Sequence, residues 1–119
     1  LDVSEKGDVE AVKRHMEAHP EITAAFVTEV AKALIVRAAA EALGRNIPGD
    51  FSIVTVDCPV FNLEPPRFTH MKQDEYTIGR RTVETLHSII SGADPVGLND
   101  IRIPAQMVEG NSAAPLKRL

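Results

Sequence analysis

The chain has 119 residues, a net charge of −4 and a single cysteine, which bounds it to one domain at most. That length is enough to bury a core, and the core must be aliphatic, because aromatic residues make up 4% of the chain against 44% for hydrophobic residues in total. The acidic balance leaves no nucleic-acid footprint, so DNA contact would need another segment. A lone cysteine excludes an internal disulfide and a cysteine-rich zinc site, and favours a reducing compartment. No apolar run approaches the ~20 residues that span a bilayer, and no signal-peptide pattern opens the chain. Because it begins at Leu1, the chain is expected to be a processed or cut piece of something longer.

In chain order, Asp8 to His19 carries Val9, Val12 and Met16 at three- and four-residue spacing, which predicts a short amphipathic helix stopped by Pro20. Ile22 to Val27 is a short apolar run that reads as a buried strand. Val30 to Leu43 is rich in Ala and Leu and reads as a second helix, with Gly44 as its C-terminal cap. A turn at residues 46–50 leads into a second apolar strand, Phe51 to Asp57. A Pro-rich loop, Cys58 to Pro66, precedes a short extended piece from Phe68 to Lys72.

Asp74 to Ser91 is the clearest helix, with Asp74 and Glu75 in its first turn, where the helix dipole favours acids. Gly79, Val83, Leu86 and Ile90 form one face of it, and Gly92 and Asp94-Pro95 end it. Ile101 to Val108 is a last strand candidate, and the tail from Gly110 to Leu119 is expected to be loosely held. Strands that alternate with helices and read as apolar runs predict an α/β fold, a parallel sheet flanked by helices on both faces.

In such sheets ligands bind outside the carboxyl ends of the strands. That rule singles out Thr28-Glu29 after the first strand and Asp57 after the second. If those strands are neighbours, two carboxylates share a crevice, and carboxylates accept hydrogen bonds from hydroxyls, which suits a polyol or sugar. Each acid also has a plainer reading: Asp57 as a loop cap before Pro59, Glu29 as an acid at a helix N-terminus.

His15 and His19 have metal-ligand spacing, but Met16-Glu17-Ala18 between them is not the H-E-x-x-H pattern, and their place at a helix C-terminus accounts for them. His70 and His87 are isolated. Cys58 lacks a His partner and stands beside an acid, so it reads as an inert thiol. Arg80 and Arg81 read as a solvated face. There is no nucleophile elbow, phosphate-binding glycine loop or dinucleotide fingerprint.

The stretch from Ile47 to Asp57 resembles the "v-P-x-D-v-S-V-V-G-F-D" segment of the LacI/GalR transcriptional regulators. Pro66 to Gln73 is similar to their "P-x-L-T-T-V-x-Q", and Ile78-Gly79 through Leu86 to the "G-x-x-A-x-x-x-L" helix that follows it. Ile22 to Leu34 resembles "D-A-I-F-A-x-N-D-x-x-A-x-G", and Ile103 to Val108 resembles "L-P-x-x-L-V". These motifs occur in order and cover residues 7–112.

The resemblance implies the incomplete C-terminal lobe of a type I periplasmic-binding-protein-like sensor, with residues 1–119 a partial effector-binding domain. It implies that helix 74–92 crosses back to the N-terminal lobe. It also implies a sugar or related effector bound between lobes, a homodimer, and operator DNA contacted only through a missing N-terminal helix-turn-helix domain. By the same resemblance Asp57 contacts effector hydroxyls, Gln73 faces the cleft, and Glu29 stands where the family has a ligand-binding Asn. The helix Ala31 to Leu43 lies where family C-lobes dimerise.

Val30, Thr55, Cys58 and Gly110 depart from the family's usual Asp, Gly, second Asp and Arg. The implied protein is cytoplasmic, uses no cofactor or metal, contacts no membrane and is not an enzyme. The alternative is a fragment of a transporter's periplasmic sugar-binding protein, which shares the two-lobed fold. An enzyme using Glu29 and Asp57 as acid and base has no further support in the sequence. Open sheet edges in such a fragment predict oligomerisation or domain exchange.

Overall fold

The computed structural model describes residues 8–58, 67–95 and 101–115. The Pro-rich loop expected at Cys58 to Pro66 therefore lies, past Cys58, outside the described residues, as do the last four residues of the tail. The chain forms two compact units, Leu1–Lys72 with Met107–Leu119, and Gln73–Gln106.

The first unit opens with α1, Asp8–Ala18, which buries Val12 and Met16 at four-residue spacing. Strand β1, Ala24–Val27, follows, and then α2, Val30–Ala42. Alanines let α2 approach closely: Ala33, Ala39 and Ala40 are fully buried beside Val36. Beyond α2, Gly44 takes φ 71. Its N–H donates to Glu41 O and the N–H of Arg45 to Ala40 O, the paired bonds by which a left-handed glycine satisfies the last carbonyls of a helix.

Asn46 and Asp50 close the turn that follows, the Asp50 carboxylate accepting the Asn46 backbone and side-chain N–H at 3.0 Å each. The guanidinium of Arg45 donates to Ile22 O at 2.6 Å and lies over the Phe51 ring, 5.7 Å from its centroid. This ties the start of the next strand back to the start of β1.

That strand, β2, is Ser52–Val56, and β3 is Thr69–Lys72. β1 and β2 pair in parallel from Ala24↔Ser52 to Val27↔Thr55, and β2 and β3 pair in parallel from Val54↔Thr69 to Val56↔Met71. A fourth short strand, β4, Gln106–Val108, lies beside β3, giving the order β1-β2-β3-β4. Helix α2 packs on β1 and β2, and α1 packs on α2. The core lies between them and holds Ile53, Phe51 and Phe68, with Ala25 and Val27 partly buried against it. The other face of the sheet is less covered: Val54 and Val56 are half-buried and Phe26 is 62% exposed.

Two expectations are corrected here. The last strand does not begin at Ile101, since residues 101–105 carry no regular structure. Pro104 has no N–H for a ladder, and pairing starts only beyond it. The tail is not loosely held over residues 110–115. The Gly110 N–H donates to Thr69 Oγ1 at 3.1 Å, that of Asn111 to Arg67 O at 2.9 Å, and Ser112 is fully buried between β2 and β3.

The second unit is built on α3, Glu75–Ile90. Asp74 caps it, accepting the Thr77 N–H at 2.9 Å and the Thr77 hydroxyl at 2.6 Å. Gly92 at φ 95 ends it as Gly44 ends α2. No residue of α3 is buried: Val83, Leu86 and Ile90 of its apolar face are 67%, 56% and 76% exposed.

A Cβ built on Gly110 would overlap Arg67 O and stand 2.7 Å from Phe68 C. Backbone must move to admit it, so Gly110→Ala is expected to destabilise the fold by roughly 1–3 kcal/mol, read as a lower urea midpoint at unchanged slope.

Candidate functional site

Because β1, β2 and β3 run parallel in this register, their carboxyl ends reach one edge of the sheet. Thr28-Glu29 follows β1 there, Asp57 follows β2, and Lys72 ends β3. The condition attached to the two acids in the sequence is met: the strands that carry them are hydrogen-bonded neighbours. Gln73 comes next after Lys72 in the chain, is exposed, and is the first residue of the second unit.

Asp57 has φ 46, the one positive value at a non-glycine among the described residues. Asp tolerates the left-handed region better than most residues, because its short side chain bonds locally. The conformation is held from the neighbouring strand, since the Asp57 N–H donates to Met71 O at 2.9 Å. The strand thus turns sharply at the acid, and a backbone outlier at a strand mouth is where functional strain is commonly kept.

Glu29 is the N-cap residue of α2, with extended backbone at φ −137, but its side chain makes no capping bond. Its backbone oxygen accepts the Ala33 N–H at 3.0 Å, and its carboxylate lies 3.3 Å from Lys32 Nζ. The pair is 61% and 33% exposed at its Glu and Lys side chains, so it adds little stability and leaves the carboxylate reachable from solvent. Next to this edge, Thr55 is fully buried and Cys58 is half-buried against the core. Their placement fits packing roles.

The other singled-out groups lie elsewhere. The His15 and His19 rings sit 4.7 Å apart, and His19 Nδ1 is 3.2 Å from Glu21 Oε1. A backbone hydrogen bond of its own, and then His19, hold the Glu21 carboxyl below the usual range. Among the described residues no group of three or more His, Cys, Asp or Glu is placed to hold a metal ion. Arg80 and Arg81 both pair with Glu84, at 2.8 and 3.4 Å.

Sequence reasoning missed the segment Gly110–Ser112, which closes the far end of the β2–β3 pair. The one signal for it is a glycine followed by Asn and Ser, residues small enough to enter between strands.

Replacing Asp57 separates conformation from chemistry. Asp57→Gly keeps the left-handed turn without a Cβ, whereas Asp57→Ala retains the Cβ and loses the local hydrogen bonding. The Ala variant is expected to unfold more easily than the Gly variant by about 1 kcal/mol in urea titrations.

The model of the periplasmic binding protein-like domain family matches residues 2–113. No curated protein matches the chain. Among solved structures, a LacI-family regulator from Bifidobacterium animalis subsp. lactis is 26% identical with a TM-score of 0.75, over 90% of this chain and 39% of its own. A LacI-family regulator from an Arthrobacter species, solved with lactose, is 24% identical with a TM-score of 0.70, over 89% and 40% of the two chains. One from Enterococcus faecium, solved with ribose, is 21% identical with a TM-score of 0.68, over 95% and 42%. The chain thus spans about two fifths of the length of the regulators it resembles. The family match and these neighbours bear out the resemblance read from the motifs around Asp57 and Gln73, and with it the α/β fold.

Proposed function

The chain belongs to the periplasmic binding protein-like domain family, and from that premise we propose that it is the effector-sensing part of a LacI-type transcriptional regulator. The observation that carries this reading is the carboxyl edge of the sheet, where Asp57 turns out of β2 in a left-handed conformation beside Glu29 at the end of β1. An ionised carboxylate accepts up to four hydrogen bonds and donates none, so the pair selects a ligand rich in hydroxyl donors. The lactose and ribose bound to two of the structural neighbours are ligands of that kind. Where the resemblance places an Asn, Glu29 accepts only, so the effector must present a donor at that point.

Gln73, which both donates and accepts, is the third residue that the resemblance assigns to the ligand. Closure of two lobes on the sugar is the hinge motion by which such a sensor signals. The regulator works in the cytoplasm and reaches its operator through a separate DNA-binding segment. No helix among the described residues is long and apolar enough to cross a membrane. The turnover of substrate has no part in this reading.

The outer stripe of α2, Ala31, Leu34, Ala38 and Ala42, is exposed, with Leu34 41% accessible. We assign it to the homodimer interface. Leu34→Arg is expected to weaken the dimer at least about tenfold, or 1.4 kcal/mol, by sedimentation equilibrium; an unchanged dimer rejects this face.

For the effector site, the complete gene product titrated with neutral mono- and disaccharides should give saturable binding. Asp57→Ala is expected to weaken it by on the order of 1–3 kcal/mol, the loss of charge-assisted hydroxyl contacts. Equal affinity in the variant rejects Asp57 as a contact.

A further inference from the structure

We infer that Ser112 is a positioning residue for the carboxyl edge: its buried hydroxyl closes the amino end of the β2–β3 ladder and so holds Asp57, at the opposite end, in its left-handed turn. Its functional consequence rests on the reading of Asp57 as an effector contact.

Three bonds tie Ser112 to both strands. Its hydroxyl donates to Ile53 O at 2.5 Å and accepts the Thr69 N–H at 2.9 Å. Its own carbonyl accepts the Ile53 N–H at 2.8 Å. These atoms stand where the strands begin to pair, since Val54, next after Ile53, is opposite Thr69.

The neighbours of Ser112 fasten the same segment. Asn111 Oδ1 accepts the Arg67 N–H, Gly110 N–H reaches Thr69 Oγ1 at 3.1 Å, and Ala114 N–H reaches Ser52 Oγ at 3.2 Å. Gly110 is the residue that lets the segment come this close, as any Cβ there would overlap the Arg67 carbonyl.

The ladder so closed has only three residue pairs. At its far end stands the bond from the Asp57 N–H to Met71 O at 2.9 Å. Ile53 and Asp57 are four residues apart on one strand, roughly 13 Å, and a ladder this short opens from whichever end loses its anchor. Removing the hydroxyl strands the Ile53 carbonyl and the Thr69 N–H in a buried site, where neither can turn to water. The strands relieve this by separating, and the bond that shapes Asp57 loses its fixed partner.

The test is backbone amide hydrogen exchange on the full chain, comparing wild type with Ser112→Ala and with Ser52→Ala. The second variant removes only the outer bonds to Ala114. In Ser112→Ala the Asp57 amide should exchange at least about tenfold faster, together with Thr69, while Ala39 and Ala40 in α2 keep their protection. In Ser52→Ala the Asp57 amide should not change.

Faster exchange at Thr69 with Asp57 unchanged overturns the inference. So does an equal loss of protection in α2, which would mean only general destabilisation. Should Ser112→Ala fail to fold, Ser112→Cys, which fills the site and weakens both hydroxyl bonds, must accelerate Asp57 exchange in the same direction; no acceleration overturns the inference. A loosened Asp57 amide with undiminished sugar affinity upholds the positioning role and rejects Asp57 as an effector contact, so the two readings fail separately.

Discussion

Everything in the first unit hangs on β2. It is hydrogen-bonded in parallel to β1 on one side and β3 on the other, and its Ile53 and Thr55 side chains are fully buried. Side chains alternate along a strand, so a slip of one residue would exchange this buried pair for half-buried Ser52, Val54 and Val56. Burial therefore holds the register. The register in turn brings the ends of three strands to a single edge and fixes which residues leave it: Glu29 from one strand, Asp57 from the next. The candidate site follows from the packing of Ile53 and Thr55.

Much of this was legible in the chain. The apolar runs and helix periods located α1, α2, α3 and the first three strands to within about two residues, the usual uncertainty at element ends. Gly44 and Gly92 announced the helix ends, because a left-handed residue past the last turn is where glycine has no steric cost. Asp57 was legible through position alone, as the first polar residue after a buried strand. Its left-handed backbone was not, since nothing local distinguishes it from a loop-capping Asp.

The tail was misread for a different reason. Its bonds join residues 41 to 62 positions apart and run through backbone groups and small side chains, Ser112 above all. Such bonds leave no periodic trace, and a stretch of Gly, Asn, Ser and Ala looks like a mobile end. The exposed face of α3 is a complementary case. Periodicity marked Val83, Leu86 and Ile90 as one apolar face, but a hydrophobic pattern says which face wants cover and not what covers it.

Three departures from the resembling family stand at or beside the edge. Thr55 and Cys58 face inward or lie against the core, where they alter packing beside the edge. Glu29 stands on the edge itself, and in the proposed site it changes what a ligand must offer. The central claim is that a sugar is read at this edge. Amide chemical shifts of the complete gene product, followed through a titration with each saturating sugar, test it most directly. The account predicts the largest perturbations at Thr28, Glu29, Asp57 and Gln73, with α1 silent. Perturbations confined to other surfaces while the sugar binds, or binding that leaves Asp57 and Glu29 unmoved, would contradict it.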